Sequence, residues 1–141
     1  MTEERVIKGH VGIGPKVTGI ALVAKDSFSA RYDLDRGRGV FSRPGHALDG
    51  ETYVGKVLVL DSAKGGVATS WMLGDMCARG KAPLALLFNT ANPVMAQGAA
   101  FSQVALVDRF ECDITGAIVT GDEVTVDPAT GTVALHGTTR P

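Results

Sequence analysis

A mixed α/β fold, with β layers joined by a βαβ crossover, is predicted by three observations. Eighteen glycines and six prolines punctuate short apolar runs along the 141 residues, a pattern of strands and turns rather than of a helical bundle. Two apolar runs, Val57–Leu60 and Leu84–Phe88, flank a segment whose apolar residues recur at helical spacing. The C-terminal stretch alternates apolar and polar residues around Pro128-Ala-Thr-Gly131, which marks a hairpin. With 45% hydrophobic and 21% charged residues, the chain fits a single domain over residues 1–141 with a core large enough to fold without disulfide or metal staples.

Each element follows from its local pattern. Val6–Gly9, Val17–Val23 and Val40–Phe41 are strand segments by their apolar, β-branched content, separated by turns at Gly12-Ile-Gly-Pro15, Asp35-Arg-Gly-Arg-Gly39 and Leu48-Asp-Gly50. Val57–Leu60 is short and half β-branched, as a buried strand is, and runs into a small, glycine-rich turn. A helix follows between Ser70 and Arg79, where Trp71, Met72, Leu73, Met76 and Cys77 share a face. Thr69 or Ser70 is its N-cap candidate and Gly80 closes it. Leu84–Phe88 then makes the parallel partner of the first buried strand, as a short strand, helix, strand succession requires. Pro93–Gln103, rich in small residues, is read as a short helix or turn. Val104–Val107 and Ala117–Thr120 are read as strands, and Thr120–Leu135 as the closing hairpin.

The charge balance of 14 basic and 15 acidic residues, a net of −1, leaves no footprint for nucleic acid or an anionic membrane. The start Met1-Thr-Glu-Glu-Arg5 leads into no apolar stretch of signal length, and no run approaches the roughly 18 apolar residues of a membrane span, so a soluble cytoplasmic protein is expected. Cys77 and Cys112 are too few and too separated for an iron–sulfur cluster or a structural zinc site held by this chain alone. Cys77 is expected as a buried thiol on the apolar side of the helix, and Cys112 as an inert thiol in a strand-like segment.

The candidate chemistry gathers after Leu60. Strand, glycine turn and helix start together offer unpaired backbone N–H groups; with the Lys64 ammonium beside Gly65 and Gly66 they favour a carboxylate or phosphate. The same glycines equally well serve only to turn the chain, since neither a Walker lysine spacing nor a GxGxxG pattern is present. Ser62 and Ser70 are hydroxyl candidates beside this point, with helix capping as the competing role. Asp61 ends the strand where open α/β sheets bind ligands, whereas Asp33, Asp35, Asp108 and Asp113 read as turn residues. His10 and His136 read as surface or satisfied polar groups. His46 stands out because the turn-rich Arg43-Pro-Gly-His-Ala-Leu-Asp-Gly-Glu51 precedes the central strand, so His46 is a candidate substrate contact.

These residues, in this order, resemble the small subunit or swivel domain of the aconitase X family, which includes phosphomevalonate dehydratase and cis-3-hydroxy-L-proline dehydratases. The resemblance spans about Ser27 to Val133. It rests on Ser27-Phe28 followed by Asp33 and a glycine turn, on His46-Ala-Leu-Asp-Gly-Glu51 resembling the family's His-Pro-Leu-x-Gly-Glu pattern, and on Gly55-Lys-Val-Leu-Val-Leu60 leading into Ser62-Ala-Lys-Gly65. Gly80-Lys-Ala-Pro83, Gln97-Gly-Ala99 and Thr120-Gly-Asp-Glu-Val-Thr-Val-Asp127 follow in family order.

The resemblance implies a swivelling β/β/α domain that closes over an active site completed by a large subunit. It places the metal or iron–sulfur centre in that partner, and no cofactor in this chain alone. The implied reaction removes water from a small hydroxy acid, with a base taking the proton beside a carboxylate. Family members carry a serine as that base directly after the Lys-Gly or Arg-Gly pair, where this chain has Gly66. A glycine cannot exchange a proton, so the catalytic group is left unassigned, with Ser62 and Ser70 as candidates. The substrate-binding expectation covers Ser62, Lys64, Gly65, Gly66, Ser70 and His46. A non-catalytic binding or scaffold domain with the same fold is the competing reading, and a small anion-binding domain unrelated to dehydration a third.

Overall fold

The computed structural model describes residues 5–28, 34–35, 38–63, 74–90, 99 and 104–136. Ten strands are defined among them: β1 Arg5–Lys8, β2 Val17–Val23, β3 Ser27–Phe28, β4 Leu34–Asp35, β5 Val40–Phe41, β6 Val57–Ala63, β7 Ala85–Thr90, β8 Ala105–Val107, β9 Glu123–Asp127 and β10 Thr132–Leu135. Helix α1 is described over residues 74–78, and α2 spans Ile114–Ala117. Eight strands form one sheet in the order β1-β10-β9-β2-β6-β7-β8, with β3 also paired to β6, while β4 and β5 form a separate antiparallel pair.

Strand β2 belongs to two layers. Its first half, Val17 to Ile20, pairs antiparallel with β9, and its second half, Ala21 to Val23, pairs parallel with β6. The sheet thereby folds into an antiparallel layer (β1, β10, β9) and a parallel one (β6, β7, β8, β3). Between them lies a core of Ile7, Val57, Val59, Leu87, Val124, Val126 and Val133. Because successive side chains point to opposite faces of a strand, Leu58, Leu60, Leu86 and Phe88 face the other way, into a second core with Phe41, Tyr53 and Met76. A parallel sheet covered on both faces needs such continuous apolar runs. The β/β/α layering and the central crossover expected from the sequence are both present.

Helix α1 ends as its sequence dictates. Gly80 takes a φ of 69°, its N–H donates to the Cys77 carbonyl at 3.1 Å, and the Lys81 N–H donates to the Met76 carbonyl at 2.9 Å, a Schellman cap. Cys77 is only partly buried, packed against the second core.

The two outer ends of the sheet are tied by the segment after β1. The Gly9 N–H donates to the Gly131 carbonyl at 2.7 Å, the Gly12 N–H to the Pro128 carbonyl at 2.8 Å, and Ile13 exchanges both backbone hydrogen bonds with Leu106 of β8. Glycine is required here by space, since a Cβ on Gly12 would fall on the Leu106 carbonyl oxygen. The turn read at Gly12–Pro15 is thus a strap that closes the sheet.

Three readings are corrected. Ala117–Thr120 is no strand: Asp113 caps α2, and the Asp122 carboxylate accepts the Val119 N–H at 3.0 Å to close a turn. Those local side-chain bonds outweigh the β-branched composition. Cys112 lies in an exposed bend rather than a strand. Finally, β6 runs three residues beyond the apolar run, because Ser62 pairs with both Ser27 of β3 and Thr90 of β7.

Candidate functional site

All four strands of the parallel layer, β3, β6, β7 and β8, run towards one edge. Such an edge is where α/β sheets bind ligands. There β6 delivers Asp61 and Ser62, and β7 delivers Asn89 and Thr90. The strand alternation that divides Leu58 and Leu60 from Val57 and Val59 also divides these end residues. Ser62 continues the row of Leu58 and Leu60, on the face that carries α1, and is half-buried. Lys64, Gly65, Gly66 and Ser70, the remaining cradle candidates on this chain, lie outside the described residues, as does Thr69.

Asp61 faces the other way, towards the core between the two β layers. Its carboxylate accepts the Asn89 side-chain N–H at 3.0 Å, and the same amide group donates to Asp113 at 2.9 Å. The Asn89 side-chain oxygen accepts the Ile114 N–H at 2.8 Å, so one amide joins two carboxylates and the start of α2. Asp113 also accepts from the Thr115 N–H at 3.0 Å and from the Thr115 hydroxyl at 2.6 Å. These bonds hold its carboxyl below the usual carboxylate range, the Thr115 side chain first and Asn89 second. Asp113, a turn residue by sequence, is the N-cap of α2. Asn89 was not singled out, although a polar residue closing the apolar run Ala85–Phe88 is the signal that could have found it.

His46 lies at this same edge but is enclosed. Its side chain is 0% exposed, and its ring stacks on Phe41 with centroids 4.8 Å apart. The Leu48 N–H donates to Nδ1 at 3.0 Å, which in the neutral ring puts the proton on Nε2, 3.8 Å from Asp26. Asp26 in turn gathers the loop: its carboxylate accepts from Arg43 at 3.3 Å and from the Ala47 N–H at 3.2 Å, while its carbonyl accepts the Asp61 N–H at 2.9 Å. The structure therefore brings His46 and Ser62 to one end of the sheet through Asp26, a residue the sequence did not single out.

Among the described residues, no group of three or more His, Cys, Asp or Glu side chains is arranged to hold a metal ion. No described helix is long and apolar enough to cross a membrane.

A family model for the aconitase X swivel domain matches residues 6–135. The chain is 39% identical over 129 residues to the phosphomevalonate dehydratase small subunit of Methanocella arvoryzae, covering 92% of this chain and 98% of that one. To the phosphomevalonate dehydratase small subunit of Methanococcoides burtonii it is 33% identical over 117 residues, covering 83% of this chain and 85% of the other. Among solved structures it is similar to the holo-form of Thermococcus kodakaraensis aconitase X, with a TM-score of 0.86 and 27% identity over 93% of this chain and 98% of that chain.

Proposed function

This chain belongs to the aconitase X swivel-domain family, and from that premise we propose that it is the small subunit of a heteromeric hydro-lyase that dehydrates a hydroxy acid. Phosphomevalonate, which names its relatives, is the first substrate to try. The observation that carries the reading is the match over residues 6–135; the position of Ser62 at the carboxyl end of β6, the kind of edge where α/β sheets commonly bind ligands, supports it.

In the proposed reaction a base takes the proton from the carbon beside a carboxylate, the C–H electron pair becomes the double bond as the neighbouring C–O bond breaks, and the departing hydroxyl takes up a proton from a general acid or solvent to leave as water. The metal or iron–sulfur centre is assigned to the large subunit, where it would act as a Lewis acid on the departing hydroxyl. This chain contributes the mobile wall. Lys64 and the backbone N–H groups of Gly65 and Gly66 would bind the substrate carboxylate or phosphate, and Ser62 and Ser70 would orient it. Gly66 can accept no proton, so the base comes from one of those hydroxyls or from the large subunit.

Gly66 also favours a second reading, a non-catalytic binding or scaffold domain that keeps the fold without the base. Reconstitution with the large subunit separates the two. Water elimination that needs both chains is expected; an assembled complex that binds hydroxy acid yet forms no unsaturated product would leave the scaffold reading. In an active complex, a Gly66→Ser change that raises kcat by about 10²-fold or more would identify the missing group as this chain's own. An unchanged kcat would place the base elsewhere.

A further inference from the structure

We propose that Asp26 is a positioning residue that holds the end of β6, and with it Ser62, in register with the Arg43–Leu48 loop. The inference rests on the dehydratase reading for its activity arm alone. Asp26 sits between β2 and β3, at the edge where the parallel strands end. Its carbonyl accepts the Asp61 N–H at 2.9 Å, one residue before Ser62. The next residue, Ser27, begins β3, which pairs with Ser62 and Ala63. Backbone bonds on both sides therefore make the path of the chain at Asp26 the lateral support for the last turn of strand before the candidate cradle.

The side chain ties this support to a second body. Oδ1 accepts from Arg43 Nη2 at 3.3 Å and Oδ2 from the Ala47 N–H at 3.2 Å. The loop between these two donors is itself stiff. The His46 N–H donates to the Arg43 carbonyl and the Asp49 N–H to the His46 carbonyl, both at 3.1 Å, and the buried His46 ring accepts from Leu48 while stacked on fully buried Phe41. The loop is thus anchored in the second core, and Asp26 is the joint between that anchor and β6. Both carboxylate oxygens are engaged by different donors. Asparagine has one acceptor oxygen, so Asp26→Asn must lose one of these bonds and set an amide N–H against a donor. A misplacement of about 1 Å at a reacting group is enough to cost about 10²-fold in rate.

The test uses the full chain assembled with its large subunit. Asp26→Asn should lower kcat by about tenfold or more while KM stays within about threefold, the signature of lost orientation rather than lost binding. Arg43→Lys, which keeps a cation on Oδ1, should retain most of the activity, whereas Arg43→Ala should fall part of the way and should add nothing to Asp26→Ala, which removes both acceptor oxygens. Hydrogen exchange at the Asp61 amide, read on the same samples, should speed up by about tenfold in Asp26→Asn. Unchanged Asp61 exchange in a folded variant overturns the proposal, as do additive effects of Asp26→Ala and Arg43→Ala or an Arg43→Ala effect confined to KM. If the wild-type complex eliminates no water, the dehydratase reading fails and the exchange measurement decides the positioning role by itself. Should Asp26→Asn not fold, the Arg43→Lys and Arg43→Ala pair carries the same comparison.

Discussion

Strands β9 and β10 alternate buried and open residues along their length, whereas the residues Val57 to Leu60 of β6 and Ala85 to Phe88 of β7 are all buried. The first pair has solvent on one side and needs only every second residue to be apolar. The second pair is packed on both sides and needs every residue to be. The difference separates tolerance from constraint: the antiparallel layer can vary its outer face, while the parallel layer is constrained throughout and acquires polar chemistry only where its strands end, at Asp61, Ser62, Asn89 and Thr90.

The sharpest way to break this contrast is to remove volume from each layer. Phe88→Ala, at a fully buried position in β7, should cost about 3–5 kcal/mol in urea unfolding. Val6→Ala on the 48% exposed face of β1 should stay within about 0.5 kcal/mol. Equal losses would mean that the outer face is packed too. A smaller effect, and a finer probe, comes from the strap that joins the layers. Gly12→Ala drives a methyl into the Leu106 carbonyl and should cost about 3 kcal/mol, against about 1 kcal/mol for Gly45→Ala, where φ is 84° but the space is open. Loss of that difference in unfolding free energy would remove steric closure as the reason for glycine at position 12.

The smallest effect concerns Asp113. Its carboxyl is held below the ordinary range by the Thr115 side chain and then by Asn89, so the folded chain favours the ionised form. The stability this supplies is present above the unfolded value and is lost as pH falls through the lowered folded one. Asp113→Asn should therefore flatten the decline in stability below about pH 4, with little change in its slope near neutrality. An acid limb identical to that of the wild type would show that the Asn89 bridge does not couple β6 and α2 through charge.

The same contrast decides what can be read from residues alone. β2 and β5 have the bounds that their apolar runs predict, and β9–β10 follow from alternation about Pro128–Gly131. The crossover from β6 to β7 follows from two apolar runs around a helical one. What escapes is everything made by partners distant in sequence. β3 and β4, the dipeptides Ser27-Phe28 and Leu34-Asp35 with no apolar run to mark them, exist because Ser27 meets Ser62 and Leu34 meets Phe41. Ala117–Thr120 has strand composition, but Asp113 and Asp122 spend their side chains on local turns. The site shows the same split: Ser62 and His46 stand at the predicted edge, while Asp26 and Asn89 acquire meaning only from contacts with residues 17 to 35 positions away or so, as with Arg43 at 17 and Ile114 at 25.

The strap after β1 carries a consequence for how the chain is made. Gly9 to Ile13 are synthesised well before their backbone partners Leu106, Asp108, Pro128 and Gly131. Until Leu106 to Gly131 have been synthesised, the strap has nothing to close against. Parallel pairing of β6 with β7 needs far less chain and can form earlier, with closure of the sheet as the last step. A nascent chain halted before Pro128 would thus present an open sheet edge to its surroundings, the form most exposed to aggregation and to chaperone capture.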